Sequence, residues 1–249
     1  MRFLFIVALL SLQKKIIYAQ TADQIVNKHF TAIGGKEKLI SINNMYMEGE
    51  IEFVGFPMAN SGPLKIYLIK DKGLLVSMGN EAPAMIDCIT NEGGWFVNTL
   101  LGKNTPVPFP DSMVSLSRDQ LVIGGALFNY AERGSKLTLL GSESVDGIDA
   151  YKLDLVTKNG AEYIYLIDTS SFYILKTIVN LNINIPSYPI KTITTFNDYD
   201  YQKRENGLIA PFSWSTDYIY TEGKQTINFT IKNIEINKTI GEAIFKISK

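Results

Sequence analysis

Few side chains in this sequence are of the types that carry out catalysis. His29 is the only histidine and Cys88 the only cysteine, and the chain has none of the short motifs that mark hydrolases, metalloproteases, paired redox thiols or phosphate-binding loops. His29 lies between Ile25 and Ile33 at helical spacing, which favours a partly buried structural imidazole. Cys88 is expected to be a small buried hydrophobe. The sequence therefore predicts no catalytic residue, no metal and no cofactor.

Three glutamates, Glu48, Glu50 and Glu52, fall on one face of a predicted strand. Carboxylates grouped in this way could bind a metal or exchange protons. Here they alternate with apolar residues between Met45 and Phe53, which is the pattern of a strand with one face in water and the other in an apolar interior. We therefore interpret the three glutamates as a solvent-facing set.

A late strand carries four aromatic side chains on one face, namely Phe212, Trp214, Tyr218 and Tyr220. Such a stripe can stack on sugars or bases, or line an apolar cavity. Aromatic residues also favour strands for packing alone, so ordinary sheet packing is the preferred interpretation. Nucleic acid is excluded as a partner, because a chain with 24 basic and 25 acidic residues and no basic run cannot neutralise many phosphates.

Residues 1–19 have the features of a secretory signal peptide. A positive residue precedes an apolar run from Phe3 to Leu12, and Ala19 is a small residue before the expected cleavage point at Gln20. Export to the periplasm is the prediction, with an uncleaved membrane anchor as the alternative. The mature chain, residues 20–249, would carry a net charge of about −4 and is predicted to form one soluble, monomeric domain.

Turn signals and period-two alternation predict an antiparallel sheet of about ten or eleven strands. The clearest stretch runs from Lys136 to Val179, where Asp146-Gly147 and Asn159-Gly160 supply the positive φ angles of tight hairpin turns. We interpret this stretch as a β-meander. Before the sheet, the segment from Thr21 to Ile42 is predicted to be helical, with Thr21 and Gln24 placed as a capping box.

One interruption divides the predicted strands. Pro106, Pro108 and Pro110 exclude a central strand, and residues 112–133 then change to helical spacing with a large apolar content. A helical insert between two halves of a sheet is well placed to lie over the sheet as a lid. A second candidate flap, interrupted by prolines, covers residues 180–189.

The order of these signals resembles a known family. The start TADQIVNKHFTAIGGKEKLISINNMYMEGEIEF, the strand GGWFVN, the passage ALFNYAERGSKLTLLGSESVDGIDAYKLDL and the close IEINKTIGEAIFKISK are similar to the outer-membrane lipoprotein-sorting proteins, the LolA/LolB-like periplasmic carriers. The resemblance covers essentially the whole mature chain. It rests on the order and spacing of structural residues and includes no catalytic signature.

The resemblance implies a mainly β fold of the α+β class: a single open antiparallel half-barrel with an N-terminal helix and a helical lid. The implied activity is to shield the acyl chains of lipoproteins or lipids in an apolar cavity during transport towards the outer membrane. The predicted cavity residues are Met45, Met47, Ile51, Phe53, Ile66, Leu68, Met78, Trp95, Leu153, Leu155 and Trp214. The predicted lid residues are Leu121, Leu127, Phe128 and Tyr130.

Several interpretations stay open at this point. The cavity candidates could equally be core beneath the first helix. Carriers of the family use an early arginine to latch the lid, but this chain has no arginine between Gln20 and Arg118, so no latch residue carries over. The implied partners are an acylated lipoprotein or lipid and a membrane-bound donor or acceptor protein. The alternative function is a periplasmic sensing or regulatory module on the same fold, and an enzyme is the least favoured class.

Overall fold

A computed structural model describes residues 20–55, 61–79, 85–99, 102–180, 193–203, 207–220 and 223–247. The predicted signal peptide, nearly all of the second candidate flap, and the side chains of Tyr218 and Tyr220 lie outside this description. Within these ranges no helix is long and apolar enough to cross a membrane.

One antiparallel sheet organises the molecule. Strands that are consecutive in the chain lie side by side within each half of the sheet, and the first and last strands pair with each other in its middle. The strand order is β6-β5-β4-β3-β2-β1-β13-β12-β11-β10-β9-β8-β7, so β6 and β7 are free edges and the sheet is an open half-barrel. The strands are β1 Asn44–Val54, β2 Gly62–Ile69, β3 Gly73–Met78, β4 Met85–Thr90, β5 Gly94–Asn98, β6 Lys103–Pro108, β7 Lys136–Val145, β8 Ile148–Val156, β9 Glu162–Asp168, β10 Ile174–Asn180, β11 Ile193–Lys203, β12 Ile209–Tyr220 and β13 Gly223–Ile236.

The described chain thus has thirteen strands, where ten or eleven were predicted. One strand that lies outside the predicted ones is β6, which contains Pro106 and Pro108. It occupies an edge of the sheet, where a proline that lacks an N–H removes no ladder hydrogen bond. The meander of β7 to β10 is confirmed, and its Asp146-Gly147 turn has the predicted positive φ angles of 49° and 85°.

Two helices precede the sheet, as predicted. Helix α1, Ala22–Ala32, begins at a capping box in which the Thr21 side chain accepts from the Gln24 N–H and the Gln24 side chain accepts from the Thr21 N–H. Gly34 and Gly35 then take positive φ angles and end the helix, and α2, Lys36–Ile40, follows. The buried side of α1 packs on the sheet because its apolar residues recur every three or four positions.

The insert between β6 and β7 is helical only in its first part, which corrects the prediction of a helix over 112–133. Helix α3, Asp111–Ser117, leads into a 3-10 turn, Arg118–Leu121, and the rest is a series of turns up to Gly134. Gly124, Gly125 and Asn129 have positive φ angles. These conformations interrupt the helical hydrogen-bond pattern even though the apolar spacing around them is helical.

The two faces of the sheet have different partners. The inner face is the face on which α1 and the insert pack. Together with the sheet residues beneath them they form an apolar cluster, which we call the helix-covered core. Among its members are Ile25, Phe30, Leu127, Leu153, Leu155, Tyr163, Tyr165 and Ile167. On the outer face, the C-terminal 3-10 turn, Glu242–Phe245, packs Phe245 against Leu75 and Cys88. The outer face also carries the predicted glutamates, with Glu50 paired to Lys232.

Candidate ligand-binding face

The inner face extends beyond α1 and the insert into a second apolar cluster, built by β1 to β4 with β12 and β13. We call it the open cluster. Its continuity with the inner face follows from strand alternation, because Met45 and Leu68 lie in the helix-covered region while Met47 and Ile66, two residues away on the same strands, lie in the second cluster. Its members are the buried Ile51, Phe53, Leu64, Ile66, Met78, Ile227, Phe229 and Ile231, and the half-buried Met47, Leu74, Val76, Met85, Trp214 and Ile234.

The eleven predicted cavity residues divide into three groups in the structure. Six come together in the open cluster: Met47, Ile51, Phe53, Ile66, Met78 and Trp214. Four lie in or against the helix-covered core: Met45, Leu68, Leu153 and Leu155. Leu153 and Leu155 have no exposed surface, so α1 and the insert already occupy the space next to them. The eleventh residue, Trp95, lies elsewhere.

Trp95 lies on the outer face, which corrects its grouping with the cavity residues. It pairs with Cys88, which pairs in turn with Leu75, and residues directly opposite in an antiparallel ladder share a face. The Trp95 indole Nε1–H donates to the Phe245 carbonyl oxygen at 2.9 Å. On β5 it is the neighbouring residue, Phe96, whose position belongs to the inner face.

The sequence pointed to only part of the open cluster. Val76 and Met85 belong to strands β3 and β4, whose apolar residues lie on both faces, so alternation alone does not assign them. Phe229 stacks on Trp214 with ring centroids 4.9 Å apart, and it is directly opposite Trp214 in the β12–β13 ladder. That pair could have been found only from the register of the hairpin.

The predicted lid residues face the sheet and α1. Leu121, Leu127 and Phe128 are buried, and the Phe128 ring meets Phe30 of α1 edge to face at 5.5 Å. Tyr130 donates a hydrogen bond to the Asp23 carboxylate. A cleft of about 200 Å³ lies between α1 and this part of the insert, below the ~300–1,000 Å³ typical of ligand pockets.

The insert makes hydrogen bonds to turns on both halves of the sheet. The Asp71 N–H in the β2–β3 turn donates to the Leu121 carbonyl at 3.2 Å. The Arg118 guanidinium donates to the Asn91 carbonyl, between β4 and β5, at 3.1 Å. On the other half, the Asn159 side-chain amide of the β8–β9 turn donates to the Ser115 carbonyl at 3.0 Å. The insert therefore bridges turns that belong to the two halves of the sheet.

An ion pair holds the insert together internally. The Arg133 guanidinium binds the buried Asp119 carboxylate and lies 3.4 Å from the carbonyl oxygens of Gly125 and Phe128. Burial raises the pKa of Asp119 above its usual range, although Arg133 acts in the opposite direction. Both partners belong to the insert, so this arginine fixes the fold of the insert and does not tie it to the early strands.

One carboxylate, Asp87, lies on the inner face. It is opposite Val76 on β3 and Phe96 on β5, and it is the only charged side chain at the described inner-face positions of β1 to β5. It makes no hydrogen bond or ion pair with any residue that the structure describes. Solvent reaches the side chain, yet desolvation raises its pKa to about 6. The surrounding protein atoms therefore disfavour the charged form of this carboxyl group although water reaches it.

His29 has a structural position. Its side chain is 4% exposed, and Nδ1 is 2.8 Å from the Phe172 carbonyl oxygen, to which the neutral ring donates. Burial lowers the pKa of His29 to about 4. Among the described residues, no three His, Cys, Asp or Glu side chains come together in a way that could hold a metal ion.

Comparison with known proteins identifies the fold. No family model and no characterised protein sequence matches this chain. Among solved structures, a DUF1329 family protein from Desulfovibrio piger superposes with a TM-score of 0.60 at 10% identity, over 92% of this chain and 98% of its own. A LolA superfamily protein from Nitrosomonas europaea gives 0.56 at 12% identity, over 92% and 98%.

A domain named for outer-membrane lipoprotein sorting, from Vibrio parahaemolyticus, also gives a TM-score of 0.56, at 9% identity over 89% of this chain and 94% of its own. The fold is therefore LolA-like, as the resemblance in the sequence implied. At these identities the likeness concerns architecture, since the residues that line the inner face are this chain's own.

Proposed function

We propose that this protein is an exported carrier that binds the acyl chains of a lipoprotein or lipid on the open cluster of its inner face, without covalent chemistry. The observation that carries the proposal is the apolar inner face that continues past α1 and the insert. Half-buried Met47, Val76, Met85 and Trp214 contribute to it. Methionine side chains adapt to irregular apolar ligands.

Burial of an acyl chain supplies a large binding free energy. Burial of an acyl chain gains ~0.8 kcal/mol per CH₂, so a twelve-carbon chain gains on the order of 10 kcal/mol. A few polar contacts on a protein surface do not supply that much. Among the described residues Asp87 has no base or nucleophile beside it, so acid–base catalysis is not part of the proposal.

Two adjacent residues of β3 provide a matched test. Val76 and Ser77 are both half-buried, and alternation points them to opposite faces of the sheet. We expect Val76→Gln to weaken lipid binding, because it places an uncharged amide without a partner on the acyl-binding face, whereas Ser77→Gln should keep it. The measurement is native mass spectrometry, with lipid extraction, on protein purified from a periplasm without detergent, and thermal unfolding shows that both variants fold.

Equal loss of bound lipid in the two variants would place the binding face elsewhere. Wild-type protein that carries no lipid and takes up none when offered dodecanoic acid or a lipoprotein would overturn the proposed carrier function. Stable capture of a protein partner by such an empty protein would instead favour a sensing module.

A further inference from the structure

We infer that Asp87 is a polar anchor within the ligand-binding face and that the ligand is an acyl-chain lipid whose polar end carries a protonated amine. The inference rests on the proposed function and deepens it by naming the ligand class. The Asp87 carboxylate has no partner among the described residues, and its immediate neighbours on the inner face are apolar.

The position of Asp87 is defined by the sheet register and does not depend on the conformation of a loop. The inner-face neighbours on its own strand are Met85 and Ile89, and Val76 and Phe96 lie directly across from it on the flanking strands. Phe96 is itself stacked on Phe109, with ring centroids 5.0 Å apart. All four neighbours are apolar. A carboxylate in such surroundings loses part of its hydration and receives no compensating protein contact.

A carboxylate that protein atoms partly desolvate is stabilised by a cationic partner. On the outer face Glu50 pairs with Lys232, and Lys224 lies 3.3 Å from Asp217. Asp87 has no such partner among the described residues, and it lies on the face where a ligand would bind. An ammonium group would both neutralise the carboxylate and donate hydrogen bonds to it, whereas a carboxylate or phosphate end would be repelled.

The location of Asp87 also suits the end of a lipid. Strand β4 lies two strands in from the free edge formed by β6, and α3 with its 3-10 turn contacts β4. The anchor is therefore near the open side of the half-barrel, while the apolar residues of β1, β2 and β13 extend away from it across the inner face. A chain bound along these strands would place its polar end at Asp87.

The test uses three probes that share a twelve-carbon alkyl chain: dodecylamine, dodecanoic acid and dodecanol. Each is titrated by calorimetry at pH 7.5, below its micellar concentration, into the mature protein from which bound lipid has been extracted. We expect wild type to bind the amine at least about tenfold more tightly than the acid. Asp87→Asn should bring amine and acid within about threefold of each other and leave dodecanol binding unchanged. Asp87→Ser is a second variant with the same expectation.

Asp154→Asn is the matched control. It removes one negative charge from β8 at an outer-face position, between the inner-face residues Leu153 and Leu155, and should preserve the amine preference. An amine preference that survives in Asp87→Asn, or that is absent in wild type, would overturn the inference about Asp87. In either case, binding of dodecanol by wild type would still support the proposed carrier function. Failure of wild type to bind any of the three probes would instead overturn the proposed function, and the anchor with it.

Discussion

At the scale of single residues, the clearest consequence of the fold is the buried neutral imidazole of His29. In the unfolded chain histidine titrates near 6.5, whereas burial lowers the pKa of folded His29 to about 4. Between these values the unfolded chain binds more protons than the folded one, so the contribution is complete above pH 6.5 and is lost as the pH falls towards 4. We expect a loss of about 3 kcal/mol in unfolding free energy over that window.

His29→Gln isolates this contribution, because glutamine can donate to the Phe172 carbonyl but does not titrate. The difference in unfolding free energy between wild type and His29→Gln, measured by urea denaturation, should change by about 3 kcal/mol between pH 7.5 and pH 4. A difference that stays constant with pH would show that the imidazole is not the group responsible.

Residue types alone predicted the burial of His29 and Cys88 but not the position of Asp87. His29 lies within a helical apolar stripe, so its burial is a local property. Asp87 lies in a strand, Met85 to Thr90, whose residues are apolar on both faces. Only the pairing with Val76 shows which face the carboxylate occupies. Trp95 was assigned to the wrong face for the same reason, since β5 is also apolar on both sides.

At the scale of elements, the insert depends on the buried ion pair between Arg133 and Asp119. We expect Arg133→Met to lower the unfolding free energy by about 3 kcal/mol, because it leaves the Asp119 carboxylate buried without its partner. The double variant Asp119→Leu with Arg133→Met should recover most of that loss, since no buried charge remains. Urea denaturation at pH 7.5 measures both.

Lys152→Met provides the comparison. It breaks the pair between Lys152 and Glu143 on neighbouring strands, whose side chains are 35% and 41% exposed, and exposed pairs contribute less than about 1 kcal/mol. A loss in Arg133→Met no greater than that in Lys152→Met would show that the insert does not depend on its ion pair.

Elements with a strong local signal were predicted from the sequence, and those that depend on tertiary pairing were not. Helix α1 and the β7–β10 meander have a capping box and glycine turns that specify them locally. Strand β6 forms only because an edge position tolerates its prolines. The turns after Leu121 depend on Gly124 and Gly125, which interrupt an apolar spacing that otherwise predicts a helix.

At the scale of the whole molecule, the half-barrel has two free edges, β6 and β7, and the insert between them makes a few exposed hydrogen bonds to turns of both halves. Strands β1 and β13 pair in the middle of the sheet, so each half is an extension of one central pair. Local patterns do not predict this long-range pairing. Under the proposed function, we expect the insert, which Arg118 and Asn159 tie to turns of both halves, to limit the exchange of the ligand.

Removing both contacts should therefore change the rate of ligand exchange more than the affinity. In Arg118→Ala with Asn159→Ala we expect uptake and release of dodecylamine to accelerate by a similar factor, about threefold or more, because exposed hydrogen bonds contribute about 1 kcal/mol each to the closed lid. Stopped-flow fluorescence can follow Trp214 in a Trp95→Phe background, since the chain has two tryptophans and only Trp214 lies on the inner face.

Glu143→Ala is the control for this experiment, because it removes a polar side chain from β7 without touching the insert contacts. Its exchange rates should match those of the Trp95→Phe parent. If the double variant also exchanges at the parental rate, the insert does not limit access, and the ligand enters the open cluster from the side of the half-barrel that the insert leaves uncovered.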